Sequence, residues 1–186
     1  MKLLEVFSRH FKIDAEIERF LVENTQTQSF PKGTLLSQQA TYNKTVFFME
    51  SGLARMFYNE NGKDITANFY PEEKIFANID TIFTQQATRY NIETVEHSTI
   101  TYFNYEKLEE LCAISLPAAN LSRYILGNLI TQMSKRVASL QFKTAKEKYA
   151  QLLEENPNII LRAPLGMVAS YLGISQETLS RIRAER

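Results

Sequence analysis

The chain has 186 residues and a mass of 21.5 kDa, enough for one sizeable domain or a domain with a small appendage, and its 44% hydrophobic content supports a core and argues against disorder. Its 21 basic and 21 acidic residues balance, so net charge gives no sign of a nucleic-acid partner; such a partner would have to be met by charge placed locally. A single cysteine, Cys112, excludes an internal disulfide framework, and with His10 and His97 as the only histidines no tight ligand spacing suggests a metal site.

No apolar run approaches the roughly 20 residues needed to span a bilayer. The start, MKLLEVFSRHFKID, lacks the apolar core of a signal peptide, so the expected location is the cytoplasm, with no membrane partner. Residues 3–23 read as two short helices. Leu3, Leu4, Phe7 and Phe11 share one face, and Ile13, Ile17, Phe20 and Leu21 make another, with Asp14 as a cap.

From Phe30 to about Asn104 short β-prone runs alternate with turn signals: PKG, ESG, NENG and YPEE. Around Asn61-Gly62 the runs GLARMFY and KDITANFY form a hairpin, because Gly62 takes the positive φ of the turn and Asn61 tolerates it. Strict alternation on the return strand puts Ile65, Ala67 and Phe69 on one face and Thr66 and Asn68 on the other. Two further strands, YNIETVE and TITYFN, meet at His97-Ser98. Many short antiparallel strands with Gly turns predict an α+β chain built on a jelly roll, the double-stranded β-helix.

After Asn104, a cap for the short helix NYEKLEELC, the chain turns helical. Pro117 suits the first turn of a long helix over 117–142, on the order of 38 Å in length. Along it Leu126, Leu129, Met133, Val137 and Leu140 recur at coiled-coil spacing and predict a dimer seam; the competing role is a core stripe of the same domain. A third helix carries Ala145, Tyr149, Leu152 and Leu153, and a short link, NPNIILRAP, follows it.

The stretch PLGMVASYLGISQETLSRIR closes the chain. Pro164 to Leu172 read as a helix that breaks at Gly173, Ile174 plugs the turn, and Ser175 caps a second helix whose Leu179 and Ile182 point inward. Such a pair, with a polar and basic second helix, matches the helix-turn-helix plan as well as an ordinary helical hairpin. Beside it the run from Lys135 to Lys148 holds Lys135, Arg136, Lys143, Lys146 and Lys148 against Glu147 alone, a supply of phosphate contacts if the hairpin meets DNA.

In this order of parts the sequence resembles the Crp/Fnr family of transcription regulators over nearly its whole length. LITQMSKRVASL and VASYLGISQETLSRIR carry the resemblance, the latter in the form common among Bacteroidetes-type bacteria; PKGTLL, ESGLARMF and NGKDITANFY resemble the sensor domain's early strands. The resemblance implies a cyclic-nucleotide-binding-like β-roll with N-terminal helices over 1–116, a dimerisation helix over 117–142 and a helix-turn-helix domain over 143–186. It implies a homodimer on double-stranded DNA, with RNA polymerase as a further partner, no enzymatic activity and no cofactor. Gln176, Glu177 and Arg181 would face the major groove, where Arg181 suits guanine and Glu177 a cytosine amino group. Ser175, Thr178, Ser180 and Arg183 would touch phosphate or hold the turn, and Lys143 and Lys146 would add phosphate contacts.

The sensor half departs from the family pattern. Nucleotide-binding members carry a Gly-Glu pair and, further on, an Arg-Ser or Arg-Thr pair. In KIFANIDTIFTQQATRYNIE, Arg89 is followed by Tyr90, and Asn78-Ile79 stand where Gly-Glu would be. The expectation is therefore a regulator not controlled by cyclic AMP, whose pocket is either vestigial or an effector site for another small molecule, lined by Phe69, Phe76, Phe83, Arg89 and Tyr90. The short link and the last residue, Arg186, predict a reduced wing beside the hairpin. The alternative is a small-molecule- or protein-responsive sensor of the same fold whose DNA binding is weak or lost. An enzyme is the remote reading: His10 and His97 lie far apart, and Cys112 in EELCAIS reads as a small buried hydrophobe.

Overall fold

The structure, a computed structural model, describes residues 2–10 and 13–185. Phe11, placed above on the first helix face, and Arg186 lie outside the described residues.

Eight strands fold into two four-stranded antiparallel sheets packed face to face. The first sheet orders β1 (Gln26–Phe30), β8 (Ser98–Asn104), β3 (Thr45–Ser51) and β6 (Ile75–Ala77). The second orders β2 (Leu35–Ser37), β7 (Asn91–Thr94), β4 (Ala54–Glu60) and β5 (Lys63–Tyr70). Between them Phe47, Met49, Ala54, Tyr70, Phe76, Ile92 and Ile100 fill the interior. The rings of Tyr70 and Phe76 stack at 4.5 Å and those of Phe47 and Phe76 at 5.4 Å.

The β4–β5 turn has φ of 52° at Asn61 and 76° at Gly62, the two left-handed residues that a tight hairpin needs. The predicted alternation on β5 fails partway. Met56 pairs with Asn68 and Phe57 with Thr66, so Ala67 is an extra residue in a bulge. Past that bulge the faces exchange. Phe69 and Thr66, not Phe69 and Ala67, share the outer face of the second sheet, and Thr66 is buried there.

Helices cover the outer faces. α1 (Lys2–Ser8) and α2 (Ala15–Asn24) pack Leu3, Phe7, Ile17 and Leu21 against Val46, Phe48 and Phe103 of the first sheet. Asp14 caps α2, accepting from the Ile17 amide at 2.8 Å. A short helix, α3 (Ile79–Thr84), follows β6. Asn104 caps α4 (Tyr105–Cys112), and Ser115 caps the long α5 (Leu116–Phe142) with Pro117 in its first turn. Cys112 is half-buried against this core, and burial pushes its thiol pKa up.

Four helices complete the chain: α6 (Ala145–Glu155), α7 (Pro157–Arg162), α8 (Leu165–Leu172) and α9 (Gln176–Ala184). Thr144 opens α6 with a reciprocal capping box to Glu147. The short link NPNIILRAP contains α7. Pro157 supplies its first turn, where a missing amide hydrogen is harmless, and Ile159 anchors it in the core. These helices share one apolar cluster with Phe69 on the outer face of the second sheet and with Leu53 and Val95 in the connections beside it.

Candidate nucleic-acid interface

The α8–α9 hairpin is set by its turn. Gly173 takes φ of 68°, and the Gly173 and Ile174 amides return to the Ser170 and Ala169 carbonyls, both at 3.0 Å. Ser175 Oγ accepts from the Thr178 amide at 3.1 Å and opens α9. Leu179 and Ile182 are buried, as the spacing predicts. Gln176, Glu177, Ser180, Arg181 and Arg183 lie exposed along the outer side, while Thr178 is half-buried. Glu177 in the first turn and both arginines in the last agree with the helix dipole. Gly166 leaves room for Gln176, since a Cβ there would meet its amide nitrogen at 3.0 Å.

The long helix α5 has two apolar sides. Ala118, Leu121 and Ile125 are buried against the chain's own core, and Leu129, expected in the exposed seam, packs on this side, half-buried. Ile130, Met133, Val137 and Leu140 are 66%, 59%, 50% and 46% exposed, and with half-buried Leu126 they form a second stripe about 100° round the helix. Ile130, which the sequence reading passed over, takes the place given to Leu129.

The basic run divides. Lys146 pairs with Glu185 at 2.5 Å and Lys143 donates to Gln151 at 3.0 Å, both at the surface beside the hairpin. Lys135, Arg136 and Lys148 instead line a cleft between the helices and the β-roll.

Two arginines each hold a pair of carboxylates, Arg55 within the roll and Arg162 between α7 and the roll. Arg55, on the outer face of β4, is buried and donates to both oxygens of Asp64, to Glu93 and to Thr66. Beside it the Thr66 amide, on the edge strand β5, donates to Ser170 Oγ of α8 at 2.9 Å. Arg162 of α7 straddles Glu72 and Glu96, the closest approaches being 2.8 and 2.5 Å. Burial alone would raise the carboxyl of Glu72, but hydrogen bonds from Arg162 and the Gly52 amide outweigh it and hold its pKa below the ordinary value.

The residues expected to form an effector pocket do not converge. Phe69 faces the terminal helices and lies edge-on to Tyr171 at 5.3 Å; Phe76 is stacked inside the roll. Phe83 is exposed on α3 against Tyr105, Arg89 is exposed, and Tyr90 meets Tyr58 edge-on. Sequence spacing could not reveal that β5 and β6 present these rings to different layers. Near α3, Asn78 Oδ1 and Thr81 Oγ1 are buried without a hydrogen-bond partner among the described residues. Among those residues no group of three or more His, Cys, Asp or Glu is placed to hold a metal ion, and no helix is long and apolar enough to cross a membrane.

Residues 27–115 match the family of cyclic nucleotide-binding domains, ending where Ser115 opens α5. No curated protein matches the chain. Similar solved structures include FixK2 from Bradyrhizobium japonicum, 18% identical with a TM-score of 0.75 over 87% of this chain and 83% of that one. The c-di-GMP-responsive global regulator CLP of Xanthomonas campestris is 17% identical, with a TM-score of 0.69 over 92% and 91%. A protein described as a transcriptional regulator of the Crp/Fnr family from Eubacterium rectale is 17% identical, with a TM-score of 0.72 over 98% and 86%. At these identities the likeness is one of fold.

Proposed function

We propose that the protein is a homodimeric, sequence-specific DNA-binding transcription regulator of the Crp/Fnr kind. One observation carries the reading: α9 is anchored by Leu179 and Ile182 and turns Gln176, Glu177 and Arg181 together to solvent, next to a capped N-terminus. That is the side-chain set and orientation by which a recognition helix reads base edges in the major groove. Ser175, Thr178, Ser180 and Arg183, with Lys143 and Lys146, would hold the turn or meet phosphates. The exposed stripe of α5 would pair with its counterpart in a second copy, so that two α9 helices face successive turns of a palindrome.

On this reading residues 1–116 sense, 117–142 dimerise and 143–186 bind DNA, in the cytoplasm and in contact with RNA polymerase. The signal would be something other than cyclic AMP, since the roll's interior is filled by its own rings and Arg89 stands apart from them. A second reading, a sensor with weak DNA binding, is favoured by the diversion of Lys135, Arg136 and Lys148 into the cleft, away from any phosphate row beside α9.

The test is selection from a random duplex library by the purified protein at two salt concentrations. An enriched palindrome is the expected result, and Arg181→Ala should then weaken binding to it by about 1–3 kcal/mol while leaving non-specific binding nearly intact. Weak, strongly salt-dependent binding with no enriched sequence would favour the second reading.

A further inference from the structure

The chain buries or half-buries three arginines where its helices meet the roll, and treats one of them differently. Arg55 and Arg162 each hold two carboxylates. Arg136 of α5 has no carboxylate partner among the described residues. Its guanidinium lies 4.0 Å over the Tyr171 ring and donates to the Tyr171 carbonyl, which fixes its plane and leaves donors free. A half-buried guanidinium without a counter-charge is unfavourable, and burial pushes its pKa down, the opposite direction from Arg55 and Arg162.

The free edge of Arg136 borders an open cleft of about 330 Å³. Its walls come from the β5–β6 connection, α5, α6 and the end of α8. Lys74, Lys135 and Lys148 also line it, none of them ion-paired among the described residues; Glu155 is the one lining carboxylate, and it accepts from Gln151 at 2.8 Å. Four cations thus face one engaged carboxylate in a space of small-molecule size, with Phe69, Pro71 and Leu152 supplying apolar wall.

We propose that this cleft binds a small phosphate-bearing anion, held by Arg136 with Lys74, Lys135 and Lys148, and that the bound anion supplies the counter-charge which Arg55 and Arg162 receive from the protein itself. Arg136 serves as the oriented donor, since its fork fits two phosphate oxygens, and the lysines act as point charges around it. The bound anion bridges the roll, through Lys74, to α5 and α6. It therefore favours whichever arrangement of roll and terminal helices closes the cleft, which couples this site to the position of α8 and α9.

The test is titration of the full chain with pyrophosphate at constant ionic strength, by calorimetry and by heteronuclear NMR. One saturable site per chain with Kd below about 1 mM, and shifts centred on Asn68, Gln151 and Tyr171, is the expected result. Arg136→Gln should weaken binding at least tenfold, and the surface double variant Lys74→Gln/Lys135→Gln, which leaves Arg136 and the fold in place, should do the same. The absence of saturation at about 10 mM, or equal binding by the folded double variant, would overturn the proposal. Ribose 5-phosphate binding more tightly than inorganic phosphate would identify a phosphorylated organic ligand, and equal binding would identify the free anion. No step of the test involves DNA, so its failure is distinguishable from failure of the regulator reading.

Discussion

The interior of the β-roll and the seam between the roll and the terminal helices are both well buried, but they are held in different ways. Inside the roll seven apolar side chains, three of them stacked rings, meet without a charge among them. That packing is non-directional and carries no charge for pH to titrate near neutrality. At the seam Leu53, Phe69 and Val95 join the apolar side chains of the terminal helices, and beside them Arg162 of α7 requires two carboxylates of the roll, Glu72 and Glu96, in position. The seam is therefore specific in geometry and open to outside conditions.

The largest test of this contrast is Phe76→Ala. Loss of the central ring should destabilise the roll by about 3–5 kcal/mol in denaturant unfolding, with little dependence on pH. Arg55→Met comes next at about 3 kcal/mol, because Glu93 is left half-buried without its partner; adding Glu93→Leu should recover much of the loss, and no recovery would argue against a purely electrostatic cost. Acidification is a gentler probe. Because Glu72 has a folded pKa below its ordinary 4.5, its contribution is present above that value and fades as pH falls through the lower, folded one. Hydrogen exchange in α7 and α8 should accelerate over that window while β3 and β8 stay protected, and Glu72→Gln should remove the pH step. The smallest effect on the folded monomer belongs to Met133→Glu/Val137→Glu, within about 0.5 kcal/mol, since both side chains already face solvent. Sedimentation should nonetheless show the dimer lost. A double variant that still sediments as a dimer would move the interface elsewhere.

Much of the architecture was legible because it is written locally. Asn61-Gly62 can make only a tight turn, and Asp14, Asn104 and Ser175 cap the helices they precede. What the sequence concealed depends on tertiary partners. Leu129 and Ile130 are adjacent apolar residues, and only the docking of α5 on the first core decides which is covered. The Ala67 bulge exchanges the faces of β5 without any glycine to announce it. NPNIILRAP holds a six-residue helix that Pro157 and Ile159 hinted at, but six residues are too few for periodicity to register. The hairpin face of α9 was readable because its inward and outward residues alternate within one short helix. The cleft was not, because Lys74 reaches it from a different element, about sixty residues before Lys135 in the chain.

The pairing of β1 with β8 has a consequence for synthesis. Gln26 lies opposite Tyr102, so the roll joins its first strand to its last and cannot close until the chain has been made past Asn104. All four terminal helices emerge afterwards, built from short-range contacts, onto a second sheet already in place to receive them. A vectorial order follows: the nascent chain waits with an unclosed roll, closes it in one long-range step, and then docks the helices turn by turn. A truncation before α6, which keeps α4 and α5 on the first sheet, should thus leave a folded roll with its outer arginine, Arg55, newly exposed.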